Sequence, residues 1–293
     1  MFLRSILLHL RIPFSFLLMP VYVFALSLSP NLLINQLIWS FGIIHLLVYP
    51  ASNAFNSYFD KDEKSIGMLK NPPPVSKGLY YTATALDAGA IALGCLKINL
   101  LFGSMLAIYI LVSRAYSHPL IRLKKYPYVS WIIAGFFQGF FTFLMSYIGI
   151  NKFEMEHLWR TPLLTAAFLS SIILWASYPM TQIYQHDEDG KRGDTTLSMK
   201  LGIRGTFYFA MVFFSLAAVG YVLFFTVFYE TRYGYAFLIA TAPVVLFFLY
   251  WFGRVWKDES KANFGNTMWL NIISAICLNG FFFWLFLQRS HLG

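Results

Sequence analysis

A chain of 293 residues that is 58% hydrophobic and only 12% charged does not have the composition of a soluble domain, in which about a quarter of residues carry charge. Its apolar residues come in blocks of about 17–25, the length that crosses a hydrocarbon core of roughly 30 Å as a helix, so the expected fold class is all-α: a polytopic membrane protein, read as a single domain over residues 1–293. The net charge of +9 then reports orientation in the bilayer and not nucleic-acid binding, and two cysteines, Cys95 and Cys277, both within apolar blocks, make neither a disulfide framework nor a cysteine metal site.

Residues 1–11, FLRSILLHLR after the first Met, read as a short amphipathic helix at the interface. No small-residue cleavage site follows Arg4, Arg11 and the apolar run between them, so the stretch is expected to be retained. Nine spans follow, at roughly 13–29, 36–59, 79–97, 99–117, 127–150, 161–184, 205–229, 234–253 and 266–288. Pro13, Pro20 and Pro50 lie inside them, which membrane helices tolerate where neighbours satisfy the freed carbonyls. The connections alternate in character. Residues 30–35, 98, 151–160 and 230–233 are nearly free of cations, whereas 60–78, 114–126, 185–204 and 254–265 are basic. With the N-terminus and the basic loops on one side, that side holds 17 of the 22 Lys and Arg. The positive-inside rule places it in the cytoplasm, with the C-terminus outside. The expected location is the inner (cytoplasmic) membrane.

Two polar stretches stand out from this apolar background. Asn53, Asn56, Asp60 and Lys64 are spaced i, i+3, i+7 and i+11, one stripe if the helix continues that far. Tyr178, Gln182, Gln185 and Asp189 repeat the plan at i, i+4, i+7 and i+11. Seven of the 13 acids, Asp60, Asp62, Glu63, Asp187, Glu188, Asp189 and Asp194, fall in these two windows. As a pair, each cluster behind a polar stripe, they are expected to face one another as solvent-accessible acids at the cytoplasmic helix ends. One such cluster alone would read as hydrated loop charge.

Carboxylates with amide oxygens suit Mg²⁺, which is usually held by one or two carboxylates and substrate phosphates. Lys61, Lys64, Lys70, Lys77, Lys191 and Arg192 share the windows. Acid and base together describe a site for a metal-bound polyphosphate. No GxxxxGK[ST] loop is present, which argues against nucleotide binding in the P-loop manner. The 31 Phe, 18 Tyr and 8 Trp are ample to line an apolar channel, although most serve packing and lipid contact. Asp87, an acid within a span, is a functional candidate by default. His45 reads as a packed, hydrogen-bonded residue, and His118 and His186 lie beside the motifs.

These motifs resemble those of the UbiA family of intramembrane prenyltransferases. The NxxxDxxxD pattern of that family is met by Asn56 and Asp60, with Lys64 where the last Asp is expected and Asp62 between. KNPPPVSKG, residues 70–78, resembles its Arg-Pro-Leu-Pro-Ser-Gly segment, with Pro72 in place of the Arg. YSHPLIRLK, residues 116–124, is similar to its Tyr-Ser…Lys segment, with Tyr116 and Lys124 matching. The second acidic motif runs Gln185, His186, Asp187, Glu188, Asp189, then Gly193 and Thr196-Leu197, with Gln185 where an Asp is usual.

The resemblance implies nine helices around a central cavity and a Mg²⁺-dependent transferase. Its partners would be a prenyl diphosphate donor, a small-molecule acceptor and the bilayer, with no nucleic acid. Carried over, Asn56, Asp60, Asp62, Gln185, Asp187 and Asp189 are the expected metal ligands, and Lys64, Lys70, Lys77, Lys124, Lys191 and Arg192 the diphosphate-binding cations. Asp60, Asp189, Tyr116 and Tyr178 are the expected catalytic residues, the tyrosines shielding an allylic cation. Asp62 and Asp187 replace the lost acids only if the backbone leaves the helix beside them, because a two-residue step turns a helix by about 200°. Two other classes are weighed against this one. A secondary transporter holds its polar residues near the midplane, whereas these acids cluster at one face. A non-catalytic member of the family would keep the fold and lose turnover.

Overall fold

A computed structural model of the chain describes residues 2–290. Apart from one bridge between Ile66 and Leu69, its regular structure is helical. Nine stretches among the described residues are long and apolar enough to cross a membrane. The chain forms two compact units, one of residues 1–16, 29–125 and 145–157, the other of residues 17–28, 126–144 and 158–293.

The first unit contains α1 (Phe2–Leu10), α3 (Ile34–Gly42), α4 (Tyr49–Asp60), α5 (Lys77–Lys97) and α6 (Leu100–Ser117). A π-helical turn, Ile43–Val48, joins α3 to α4. Such turns are stable only where packing favours the wider coil. Here His45 stacks on Phe41 with ring centroids 4.5 Å apart and its Nδ1 meets Ser15 Oγ at 2.6 Å, the packing role read from the sequence. The N-terminal helix is more than an interfacial helix. Its Ile6 and Leu10 pack with Ala54, Phe55, Leu79 and Ala83, while Leu3, Leu7 and Leu8 stay exposed. Its polar edge fastens the Pro-rich loop: Ser5 Oγ donates to Pro74 O at 2.8 Å, and His9 Nε2 lies 2.7 Å from Pro73 O.

The second unit contains α7 (Pro127–Gly135), α9 (Thr161–Gln182), α10 (His186–Lys191), α11 (Leu197–Phe228), α12 (Thr231–Lys257) and α13 (Phe264–Arg289). Two helices, α2 (Ser15–Ser27) and α8 (Thr142–Asn151), carry the chain across the unit boundaries. In lipid every backbone polar group needs an internal partner, and this unit shows how irregularities meet that demand. Pro179 lacks the N–H that would reach Trp175 O, and Trp131 Nε1 donates to that carbonyl at 2.9 Å instead. In the π turn Phe136–Phe141, Ser171 Oγ accepts from Phe140 N and donates to Gly135 O, both at 2.9 Å. Met180, Ile183, Phe207, Trp251, Val255 and Leu270 form a buried core in this unit. Between helices in a bilayer such contacts stabilise through close packing, because lipid is as apolar as the side chains.

Candidate active site

The first acidic stretch is set by where α4 stops. Lys61 adopts φ 50° with its N–H on Ser57 O at 3.0 Å, ending the helix at Asp60. Asn53, Asn56 and Asp60 therefore share a helix, and Lys64 does not. The four-residue stripe expected from the spacing is a three-residue stripe, and Lys64 is an exposed loop residue. The same break puts Asp62 off the helix, as its role as a substitute ligand requires.

The Asp60 side chain is 6% exposed and paired with Lys124 Nζ, which is itself buried. Arg122 Nη2 stands 3.9 Å from the same oxygen. Asp60 is thus not the solvent-accessible acid expected from the sequence but a carboxylate enclosed by cations from the loop after α6. Lys61 and Arg122 (φ 47°) flank it in the left-handed region, a conformation costing non-glycine residues roughly 1–2 kcal/mol and often found at functional sites. Asn56 Nδ2 donates to Ser117 Oγ at 2.9 Å, which turns the amide nitrogen toward α6 and leaves the carbonyl oxygen as the atom that could accept a ligand. Asn53 is structural: Nδ2 donates to Leu10 O at 3.4 Å, and its own carbonyl accepts from Arg11 Nη2 at 3.3 Å.

The second acidic stretch is not one stripe either. Tyr178 and Gln182 lie on α9, which ends at Gln182. Gln185 caps the separate helix α10, and Asp189 lies within it. Gln182 Oε1 accepts from Ser198 N at 3.2 Å, a structural role. The short helix closes by a Schellman motif, in which Gly193 N donates to Gly190 O at 3.1 Å and Asp194 N to Asp189 O at 2.9 Å. Gly193 takes φ 75° there, a conformation open to glycine without steric cost. The motif folds Arg192 back over the acids. Its Nη2 lies 2.7 Å from Asp189 Oδ1 and its Nε 3.7 Å from Asp194 Oδ2. Asp189 and Asp194 are 7% and 3% exposed, so Asp189 too is buried rather than accessible. His186 Nε2 meets Ser198 Oγ at 2.8 Å. Burial holds its imidazole below the ordinary range, with the Asp187 charge opposing that in part.

Of the expected diphosphate cations, Lys124 and Arg192 stand on the acids, while Lys64 and Lys70 are exposed in a loop and Lys77 and Lys191 are exposed at the ends of α5 and α10. Tyr116 and Tyr178 are half-buried near the ends of α6 and α9. Asp187 is exposed in the first turn of α10. Arg122, Asp194 and the buried Glu188 were not singled out as site residues from the sequence. Arg122 carries no local signal beyond standing two residues before Lys124.

The donors at both helix ends are carboxylate and amide oxygens, the set for a hard divalent cation. Among the described residues no group of three His, Cys, Asp or Glu is placed to hold a metal by itself. A metal here would need further ligands, which water or a bound anion can supply, and the adjoining cations suit such an anion.

A sequence profile of the UbiA prenyltransferase family matches residues 17–286. No curated protein sequence matches the chain. Among solved structures, a UbiA homolog from Archaeoglobus fulgidus bound to DMAPP and Mg²⁺ superposes with a TM-score of 0.70 at 16% identity, covering 96% of this chain and 99% of that one. The same homolog bound to GPP and Mg²⁺ gives 0.69 at 16% identity, again over 96% and 99%. A structure concerned with digeranylgeranylglyceryl phosphate synthase in membranes gives 0.61 at 21% identity, over 96% and 97%. At these identities the likeness carries the all-helical membrane fold.

Proposed function

Since this chain belongs to the UbiA prenyltransferase family, we propose that it moves a prenyl group from an allylic prenyl diphosphate to a small acceptor of the aromatic, lipid-quinone or pigment type, with residues 1–293 acting as one catalytic domain. The observation that carries this reading is the pair of acidic helix ends, each a buried carboxylate already matched to a cation that can be passed to an anion. Mg²⁺, which a homolog of the same fold binds with DMAPP and with GPP, would supply the positive charge that lets a carboxylate of this kind stand beside a diphosphate.

In this reading Asn56, Asp60 and Asp62 at one end, and Gln185, Asp187 and Asp189 at the other, present the metal-binding oxygens. Lys124, Arg122 and Arg192 turn from the carboxylates to the phosphate oxygens. Lys64, Lys70, Lys77 and Lys191 neutralise the outer edge of the anion. The allylic C–O bond breaks with its electron pair leaving on the diphosphate, which the cations stabilise as charge develops. Tyr116 and Tyr178 shield the allylic cation by their π faces. The acceptor's nucleophilic atom then forms the new bond to carbon and gives up its proton.

The 17 of 22 cations on the basic-loop side support a site facing the cytoplasm of the inner membrane. A cysteine at Met68, which is exposed, should label only from inside. Labelling from outside intact cells would reverse the orientation. The activity itself is tested with purified protein, Mg²⁺, prenyl diphosphates of several lengths and a panel of acceptors. Diphosphate release with a prenylated product is expected. Diphosphate binding without release would identify a non-catalytic member, and neither binding nor release would overturn the reading.

A further inference from the structure

Beside the end of α4, the first unit carries an open cleft of about 410 Å³ between α4, α5 and α6. On α5 its lining is Tyr80, Thr84, Asp87, Ala88 and Ile91, spaced i, i+4, i+7, i+8 and i+11, so one face of the helix makes one wall. Facing it on α6 and just beyond are Ile110, Arg114 and His118, each four residues apart. Because α5 and α6 are joined by a tight turn and run antiparallel, the two walls have the same polarity. Tyr80, His118 and Arg114 lie toward one end, with Ala88, Ile91 and Ile110 deeper, over a length of about 16 Å.

The cleft contains an ion pair at membrane depth, which bilayers tolerate only where it is paired or used. Arg114 Nε donates to Asp87 Oδ2 at 2.8 Å, and Arg114 Nη2 donates to the same oxygen. The guanidinium lies over the Phe55 ring, 3.8 Å from its centroid. Both bonds converge on Oδ2, so Asp87 Oδ1 and Arg114 Nη1 have no partner among the described residues, although Asp87 is only 7% exposed. The Tyr80 hydroxyl and His118 Nε2 have none either. None of these four atoms is sealed from the surface. An arginine held in place by its carboxylate, with one donor edge open above an apolar floor, fits a phosphate that carries a hydrocarbon chain.

We propose that this cleft binds a glycerophospholipid of the surrounding leaflet, its phosphate on Arg114 Nη1 and Tyr80, and an acyl chain along Ala88, Ile91 and Ile110. Asp87 holds the guanidinium in register and accepts a hydrogen bond from a hydroxyl or ammonium group of the headgroup on Oδ1. A paired Arg and Asp carry no net charge, which favours zwitterionic over anionic headgroups. None of these residues belongs to the proposed prenyl-transfer machinery, so the site stands whether or not that reading holds.

The test uses the full chain purified in mild detergent. Native mass spectrometry should show a retained phospholipid adduct, and added phosphatidylethanolamine should raise the unfolding midpoint. Inorganic phosphate or glycerol phosphate, lacking a chain, should not. The isosteric double variant Asp87→Asn/Arg114→Gln should lose the adduct and the shift. Ile91→Trp, which fills the apolar floor and leaves the ion pair in place, should lose them too while keeping a monodisperse elution profile. Undiminished adduct and shift in both variants, or an equal shift with inorganic phosphate, would overturn the proposal. A larger shift with phosphatidylglycerol than with phosphatidylethanolamine would overturn the headgroup assignment.

Discussion

The two acidic helix ends each gather acids beside cations and are built in opposite ways. At the end of α4, Asp60 meets Lys124, 64 residues away, and that contact exists only because α4, α6 and the following loop pack together. At α10, Asp189 meets Arg192 three residues on, the residue that caps a six-residue helix closed by its own Schellman motif. One pair is made by tertiary structure and the other by local structure. Damage to packing should therefore reach the first site and leave the second intact, whereas damage to one turn should do the reverse.

The largest expected effect erases the contrast. Asp60→Asn and Asp189→Asn each keep side-chain volume and remove the charge that a metal would need. Either should lower kcat for diphosphate release by on the order of 10²–10³, measured on protein whose elution and unfolding profile match the parent. Full Mg²⁺-dependent activity in both variants would refute the carboxylate sites.

Stability should separate the two ends next. Lys124→Gln leaves the Asp60 carboxylate enclosed without its principal cation, and removing one partner of a buried pair costs about 3–5 kcal/mol. Arg192→Gln should cost less, since the Arg192 side chain is 17% exposed and water can reach the vacated place. Asp60→Asn combined with Lys124→Gln should recover most of the loss. Unfolding midpoints in detergent read all three, and equal losses for Lys124→Gln and Arg192→Gln would remove the distinction between tertiary and local pairing.

Backbone substitutions give smaller effects. Gly193→Ala forces an L side chain into φ 75° and should cost about 1–2 kcal/mol. Lys61→Gly relieves similar strain at φ 50° but loosens the unfolded chain, so the net change should stay under about 1 kcal/mol. The same unfolding measurements check both. A Gly193→Ala variant as stable as the parent would mean that α10 ends without its left-handed turn.

The smallest effect is one of pH. Burial holds the His186 imidazole below its ordinary value, so the folded chain binds that proton less readily than the unfolded chain. Its contribution to stability is present above the ordinary imidazole value of about 6.5 and falls as pH drops through it. Replacing His186 with Gln should flatten the dependence of the unfolding midpoint between about pH 7 and pH 5. An unchanged slope would place the titration elsewhere.

Much of this was legible without coordinates. Nine apolar blocks became nine candidate spans, because hydropathy is a sum over neighbours in the chain and the bilayer admits few other solutions for so apolar a backbone. The two acidic windows were legible for the same reason: charge is rare enough in such a chain to be conspicuous. Helical spacing misled where it was extended past a helix end. Lys64 fell off its stripe because Lys61 turns left-handed, and Gln185 and Asp189 fell off theirs because α9 stops at Gln182. The continuous span expected at 205–229 extends back to Leu197, but only across a break at Gly202, where φ is 71° and ψ 170°. Span 1 likewise gained α1, whose Ile6 and Leu10 face a core that amphipathicity alone could not distinguish from a membrane surface.

Sequence alone determined the class of the chain, the number of its apolar helices and the two windows in which acids and bases gather, all properties of residues close together in the chain. Tertiary structure decided which cation meets which acid, that Asp60 and Asp189 are buried rather than hydrated, and that Asp87 finds Arg114. Those outcomes depend on which helix faces meet. Asp60 could have been served by Lys61 or Lys64, close by in the chain, yet it is Lys124 that reaches it, because α6 and its loop set that distance and the spacing along the chain does not.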